Sequence, residues 1–212
     1  ASAADFSSAE SRIDGFQIKG AIAGGGIMVW TEAAGLRISN NRIIGNQGGI
    51  SGGISLGEQA QAGTLYNNPN VTIENNQILL NGGIAGAGGI GIFTGASGYT
   101  IRNNYIMGNF TRGSGGGIAH EGRSPGGLIA NNVIAFNEVF YGVPAANVTI
   151  SGDGGGIFVG GIVPVGGGLS DGAGSVTIIN NLIQGNLAGA GHGGGIRAAG
   201  VNGADVVAAP GA

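Results

Sequence analysis

The chain has 212 residues, enough for one domain with a sizeable core. Only 9% of them are charged and the net charge is −3, which excludes the basic stripe that nucleic-acid binding needs. Cys is absent, which excludes a disulfide framework and a thiolate metal site, and no apolar run has the length of a membrane span.

Gly is the outlier, with 50 residues. Such a content usually signals low complexity. Ile nevertheless recurs at fixed positions, so a repeat is the first thing to test. In chain order, the opening Ala1-Ser2-Ala3-Ala4 fits the remnant of a signal-peptide cleavage site and is too short to carry weight. Ile13-Asp14-Gly15-Phe16-Gln17-Ile18 is a weak first copy of a nine-residue pattern, I-x-N-N-x-I-x-x-N. Full copies run from Ile38 to Asn46, Ile73 to Asn81, Ile101 to Asn109, Ile129 to Asn137 and Ile178 to Asn186. Between them a Gly-Gly-Ile element ends at Ile27, Ile54, Ile90, Ile118, Ile157 and Ile196. Ile73, Ile101 and Ile129 stand 28 residues apart, which predicts one coil of three short strands with their turns.

Helical repeats of similar period need helix formers at 3.6-residue spacing. Here Gly, Asn and β-branched residues dominate, and these favour turns and strands. The alternation in Val71-Thr72-Ile73 and Ile90-Gly91-Ile92 is that of a strand. Each Asn pair is predicted to turn a corner, because Asn tolerates the left-handed region. Stacking coils about 4.8 Å apart would then align equivalent side-chain amides. Asn41, Asn76, Asn104, Asn132 and Asn181 form one predicted ladder, and Asn46, Asn81, Asn109, Asn137 and Asn186 the other.

The I-x-N-N-x-I-x-x-N and Gly-Gly-Gly-Ile elements resemble the repeats of pectin-lyase-like proteins and of bacterial surface passengers. The resemblance covers roughly residues 13 to 198. It implies an all-β fold, a single-stranded right-handed parallel β-helix of about six coils. It implies little about activity, because lyases, glycoside hydrolases, adhesins and passive stalks share that fold.

Against the 28-residue unit, insertions fall near 57–69, 138–151 and 160–174. The first and the last leave the solenoid at one corner, two coils apart on this count, and the corner between them is short. Such walls predict a groove. Its floor would carry Phe93, His120, Glu121 and Arg123, and its walls Glu58, Tyr66 and Asp171. Glu58, Glu121, Arg123 and Asp171 are the candidates for chemistry there, while Trp30, Phe93 and His120 are candidates for ligand contact. His120 also falls on the inward phase counted from Ile118, where a structural role is the plainer one. Glu121 and Arg123 could simply pair at the surface. No cluster of three acids stands at coil spacing, so the pattern leans away from an enzyme and calls for neither metal nor cofactor. Asp153-Gly154-Gly155-Gly156 does not recur at nine-residue spacing, which argues against a Ca²⁺ roll.

Three sequons begin at Asn70, Asn109 and Asn147, and Asn109 is expected inside a ladder where no glycan fits. On the motif strands, Glu74 and Arg102 are expected as neighbours on adjacent coils. Leu128, Ala130, Val133, Ile179 and Leu182 form an outward apolar patch, which Val139, Phe140 and Tyr141 or a partner chain would cover. Neither end carries a capping element, so residues 1–212 are expected to be one β-helix domain from a longer chain, with further coils of the same or another chain as partners. The functional expectation is an extracellular or cell-surface structural or binding module: a stalk, adhesin passenger, surface-layer or filament component. The alternative is a polysaccharide-active enzyme or carbohydrate-binding domain using the groove.

Overall fold

A computed structural model describes residues 11–57, 67–140, 152–162, 170–189 and 191–203. Within them the chain winds as a right-handed parallel β-helix of about six coils. Each full coil contributes to four sheets, one more than the three expected. Sheet 1 carries the first Ile of every motif, from Arg12–Asp14 through Arg37–Ser39, Thr72–Glu74, Thr100–Arg102 and Gly127–Ala130 to Val176–Ile179. Sheet 2 carries the second Ile, from Gln17–Lys19 through Tyr105–Met107 to Leu182–Gln184. Sheet 3 is the unexpected one, made of two-residue strands at Gln47–Gly48, Gly82–Gly83, Phe110–Thr111, Glu138–Val139 and Leu187–Ala188. Sheet 4 holds the Gly-Gly-Ile elements, from Ile27–Val29 through Ile90–Ile92 and Ile118–Glu121 to Ile196–Ala199.

Register is set by like residues. Ile38 pairs with Ile73, Ile73 with Ile101, and Ile101 with Ile129. A one-residue slip would turn every one of these side chains to solvent. In the middle coils the Ile columns are fully buried and form one continuous core. The Ile54 and Ile157 strands, which bear the two walls, stand three rungs apart in sheet 4, with the Ile90 and Ile118 strands between them; the expected separation of two coils is corrected accordingly.

The corners follow the chemistry of Asn. The first Asn of each pair adopts the left-handed region, with φ of 56° at Asn40, Asn75 and Asn131 and 55° at Asn103 and Asn180. The second Asn points inward and enters a ladder. Asn76 shows the pattern: its Oδ1 accepts from the backbone N–H of Asn41 at 2.9 Å and from Asn41 Nδ2 at 3.1 Å. Its Nδ2 donates to Ile38 O at 2.9 Å and to Asn104 Oδ1 at 3.0 Å. Both amide protons and both carbonyl lone pairs are thus used. The same bonds repeat through Asn104, Asn132 and Asn181, and in the second ladder from Asn46 to Asn186.

The second ladder explains one column of glycines. Gly53, Gly89, Gly117 and Gly156 each precede the Ile of sheet 4, and a Cβ there would come within 2.4–2.6 Å of a carbonyl oxygen of the next coil and within 3.0–3.3 Å of a ladder Nδ2. Only Gly lets backbone and ladder approach that closely.

On the outer face of sheet 1, Glu74 is buried between Arg37 and Arg102, the latter donating from Nε at 2.7 Å, so the expected neighbours are paired. The expectation that Val139 and Phe140 fold over the apolar patch of sheets 1 and 2 is corrected. Val139 is an inward residue of sheet 3, and Phe140 packs on Phe110, ring centroids 5.3 Å apart. The cause is the two-residue strand at Glu138–Val139, whose pairing with Phe110–Thr111 continues sheet 3 and carries Phe140 along the outside of that sheet. Tyr141 lies outside the described residues.

Candidate functional site

The structure separates the sequence-predicted site residues. Glu58 and Tyr66 lie outside the described residues. Trp30 is outward and 51% exposed, three rungs from the Ile118 strand. Phe93, expected as an exposed floor, is fully buried. Its ring lies where side chains at Gly91 and Gly86 would stand, with ring carbons 2.8 Å from a Cβ built on either. Two neighbouring glycines thus give an outward Phe a bed on the sheet, and solvent loses it.

His120 is corrected as a ligand contact for a different reason. It points into the core, as its phase from Ile118 dictates, and pairs in register with Ile92 and Val159. Nε2 faces two carbonyl oxygens, Gly122 O at 2.9 Å and Ala173 O at 3.1 Å, so the proton sits on Nε2. Nδ1 then accepts from the buried Tyr99 hydroxyl at 2.8 Å. Burial lowers the pKa of His120 despite those two carbonyls, and burial raises that of Tyr99. Every polar atom of the pair is used internally, so His120 holds the corner between sheets 4 and 1. Glu121, expected on the groove floor, is buried as well.

Arg123 and Asp171 are the two candidates that the structure does bring together. Arg123 Nη1 donates to the backbone O of Asp171 at 3.3 Å. Both line an open depression of about 540 Å³ with Ser175, Val201 and Asn202. Among the described residues no group of three or more His, Asp or Glu could hold a metal ion. No helix among them is long and apolar enough to cross a membrane.

A second depression, of about 530 Å³, lies on the outer face of sheet 3. Sequence reasoning missed it because it missed the sheet. Its floor is backbone, at Gly48, Gly49, Gly82 and Gly83, and its walls are Ile22, Ile84, Phe110 and Phe140, with Gln47 and Arg112 as the polar lining. The opening depends on Gly82, whose neighbour in register is Phe110. A Cβ at Gly82 would stand 2.5 Å from Cε2 of that ring, so the phenyl group lies flat on the glycine. Ile22 is 87% and Ile84 60% exposed, far above what an aliphatic side chain on a closed surface shows. The recoverable signal was two aromatic residues close behind ladder Asn residues, Phe110 directly after Asn109 and Phe140 three residues after Asn137.

In comparisons with known proteins, the family described as right handed beta helix region matches residues 2–161. No match was found among curated proteins or solved structures. With four parallel sheets in register and that match over most of its length, the chain belongs to the right-handed β-helix family.

Proposed function

We propose that the chain is an extracellular structural or binding module, a rigid rod that displays loops and outer faces rather than transforming a substrate. The observation that carries this reading is the pair of unbroken Asn ladders beside continuous Ile columns. Satisfied buried networks rigidify a fold, whereas sites of chemistry tend to carry strained or unpaired groups. Of the side chains suited to acid–base work, His120 is withdrawn into the body of the helix and Glu121 is buried too. The test has two parts. Protease treatment of intact source cells should remove the protein, and a protease-protected internal pool would overturn the location. Incubation with neutral and acidic polysaccharides should release neither reducing ends nor unsaturated products.

The second reading, a polysaccharide-active enzyme, draws on the depression shared by Arg123 and Asp171. Turnover in the same incubation that is lost in Arg123→Ala would establish it in place of the module.

A further inference from the structure

The depression on the outer face of sheet 3 has a chemistry of its own. Its walls are two branched aliphatic and two phenyl side chains, and Arg112 is the only charged residue among its lining. Arg112 is exposed and makes no ion pair among the described residues. A guanidinium without an ion-pair partner among the described residues, inside an apolar cleft on a chain of net charge −3, sets up a local complement for one anionic group. The nearest acid in the sheet, Glu138, pairs in register with Phe110 and stands outside the lining.

We propose that this cleft binds a small organic anion: an aromatic or aliphatic body carrying one carboxylate. The body would lie on the glycine floor between Phe110, Phe140 and Ile84, and the carboxylate would take the planar fork of Arg112. The volume of about 530 Å³ fits a ligand of that size. A saccharide fits less well, because its hydroxyls need many polar partners and the side-chain lining offers only Gln47 and Arg112. A nucleic acid fits less well again, since one cation neutralises one phosphate. The inference goes beyond the module reading and does not depend on where in the cell the protein acts.

The probe is 4-phenylbutyrate, titrated into the whole chain by calorimetry, with 4-phenylbutanamide as the neutral analogue and acetate as the bare anion. The acid should bind at least about tenfold tighter than the amide, because only the carboxylate can form a two-bond ion pair with the guanidinium. Arg112→Gln should remove that advantage and leave amide binding unchanged, and the amide thereby reports that the variant cleft is intact. Phe140→Ala should weaken acid and amide alike. The proposal is overturned if the acid shows no binding, if acid and amide bind equally, if Arg112→Gln leaves the acid unaffected, or if acetate binds as tightly as phenylbutyrate.

Discussion

Replacing Asn104 with Ala removes four hydrogen bonds at the centre of the first ladder. The losses fall on identifiable partners: the backbone N–H and Nδ2 of Asn76, and the carbonyl of Ile73. Asn132 Oδ1 keeps the backbone N–H of residue 104. The backbone N–H of Asn76, one of its two amide protons (the other keeps Ile38 O) and the Ile73 carbonyl each lose this bond in a buried place, at about 1–3 kcal/mol each, which sums to about 3–9 kcal/mol. A domain has only about 5–15 kcal/mol of stability in all, so the substitution should unfold much of the solenoid. Asn181→Ala removes an equivalent set of bonds, to Asn132, Ile129 and Ile179, but at a half-buried position. Because the Asn181 position itself is partly open to solvent, water can take the place of the missing amide against those partners, and the loss should be about 1–2 kcal/mol. The assay is urea unfolding followed by circular dichroism, comparing midpoints of the two variants with the parent. Asn104→Asp separates the cavity from the bonds: it keeps the shape but replaces the Nδ2 donor by an oxygen facing Ile73 O and Asn132 Oδ1, and should be at least as damaging as Ala. Equal midpoints for Asn104→Ala and Asn181→Ala, or a tolerated Asn104→Asp, would refute the view that buried satisfaction of the ladder holds the coils together.

The same geometry sets further expectations. Burial depresses the pKa of His120 below its ordinary 6.5, so the folded state keeps the ring neutral while the unfolded chain takes up a proton. Its contribution is therefore complete above pH 6.5 and declines as the pH falls below that value; urea midpoints at pH 8 and 5 should show the decline, and His120→Gln should flatten it. Glu74→Gln breaks the bridge from Arg37 to Arg102 and should destabilise by about 1–2 kcal/mol, less than a fully buried pair because both Arg side chains are half exposed; raising salt should shrink the difference. Gly108 has φ +63° and a Cβ there would stand 2.8 Å from Leu80 Cδ2, so Gly108→Ala should lower stability by about 1 kcal/mol in the same urea assay. Leu80 itself sits at φ 54°, and Leu80→Gly should be near neutral, relief of about 1–2 kcal/mol of left-handed strain being offset by lost contacts and by the looser unfolded chain.

How much was legible depended on whether a feature repeats. The ladders, the Ile columns and the pairing of Glu74 with Arg102 were readable because each is a residue meeting its own counterpart one coil on. Sheet 3 was not, since strands of two residues such as Gly82–Gly83 carry neither alternation nor β-branched side chains. The depth of Phe93 was not readable either, because it is set by glycines at positions 86 and 91 that leave space for its ring. His120 could be placed inward by counting from Ile118, but its partner Tyr99 could not, as the two are joined across a corner rather than along a repeat. The anion cleft escaped notice for both reasons, being built on the unseen sheet and opened by a glycine.

The uniform 28-residue spacing of the central coils also bears on length. Ladder, Ile column and glycine column all close on themselves after one such unit. Removing residues 101–128 as a block would set Ile73 against Ile129 and let the amide of Asn76 meet that of Asn132, with no new contact type required. Rod length is thereby a nearly free variable for evolution and for engineering. A gene that gains or loses one whole unit changes the reach of its product by a single strand spacing, while extra residues confined to the loops lengthen a coil and leave both ladders joined, as across the 35 residues from Asn41 to Asn76 and the 49 from Asn132 to Asn181.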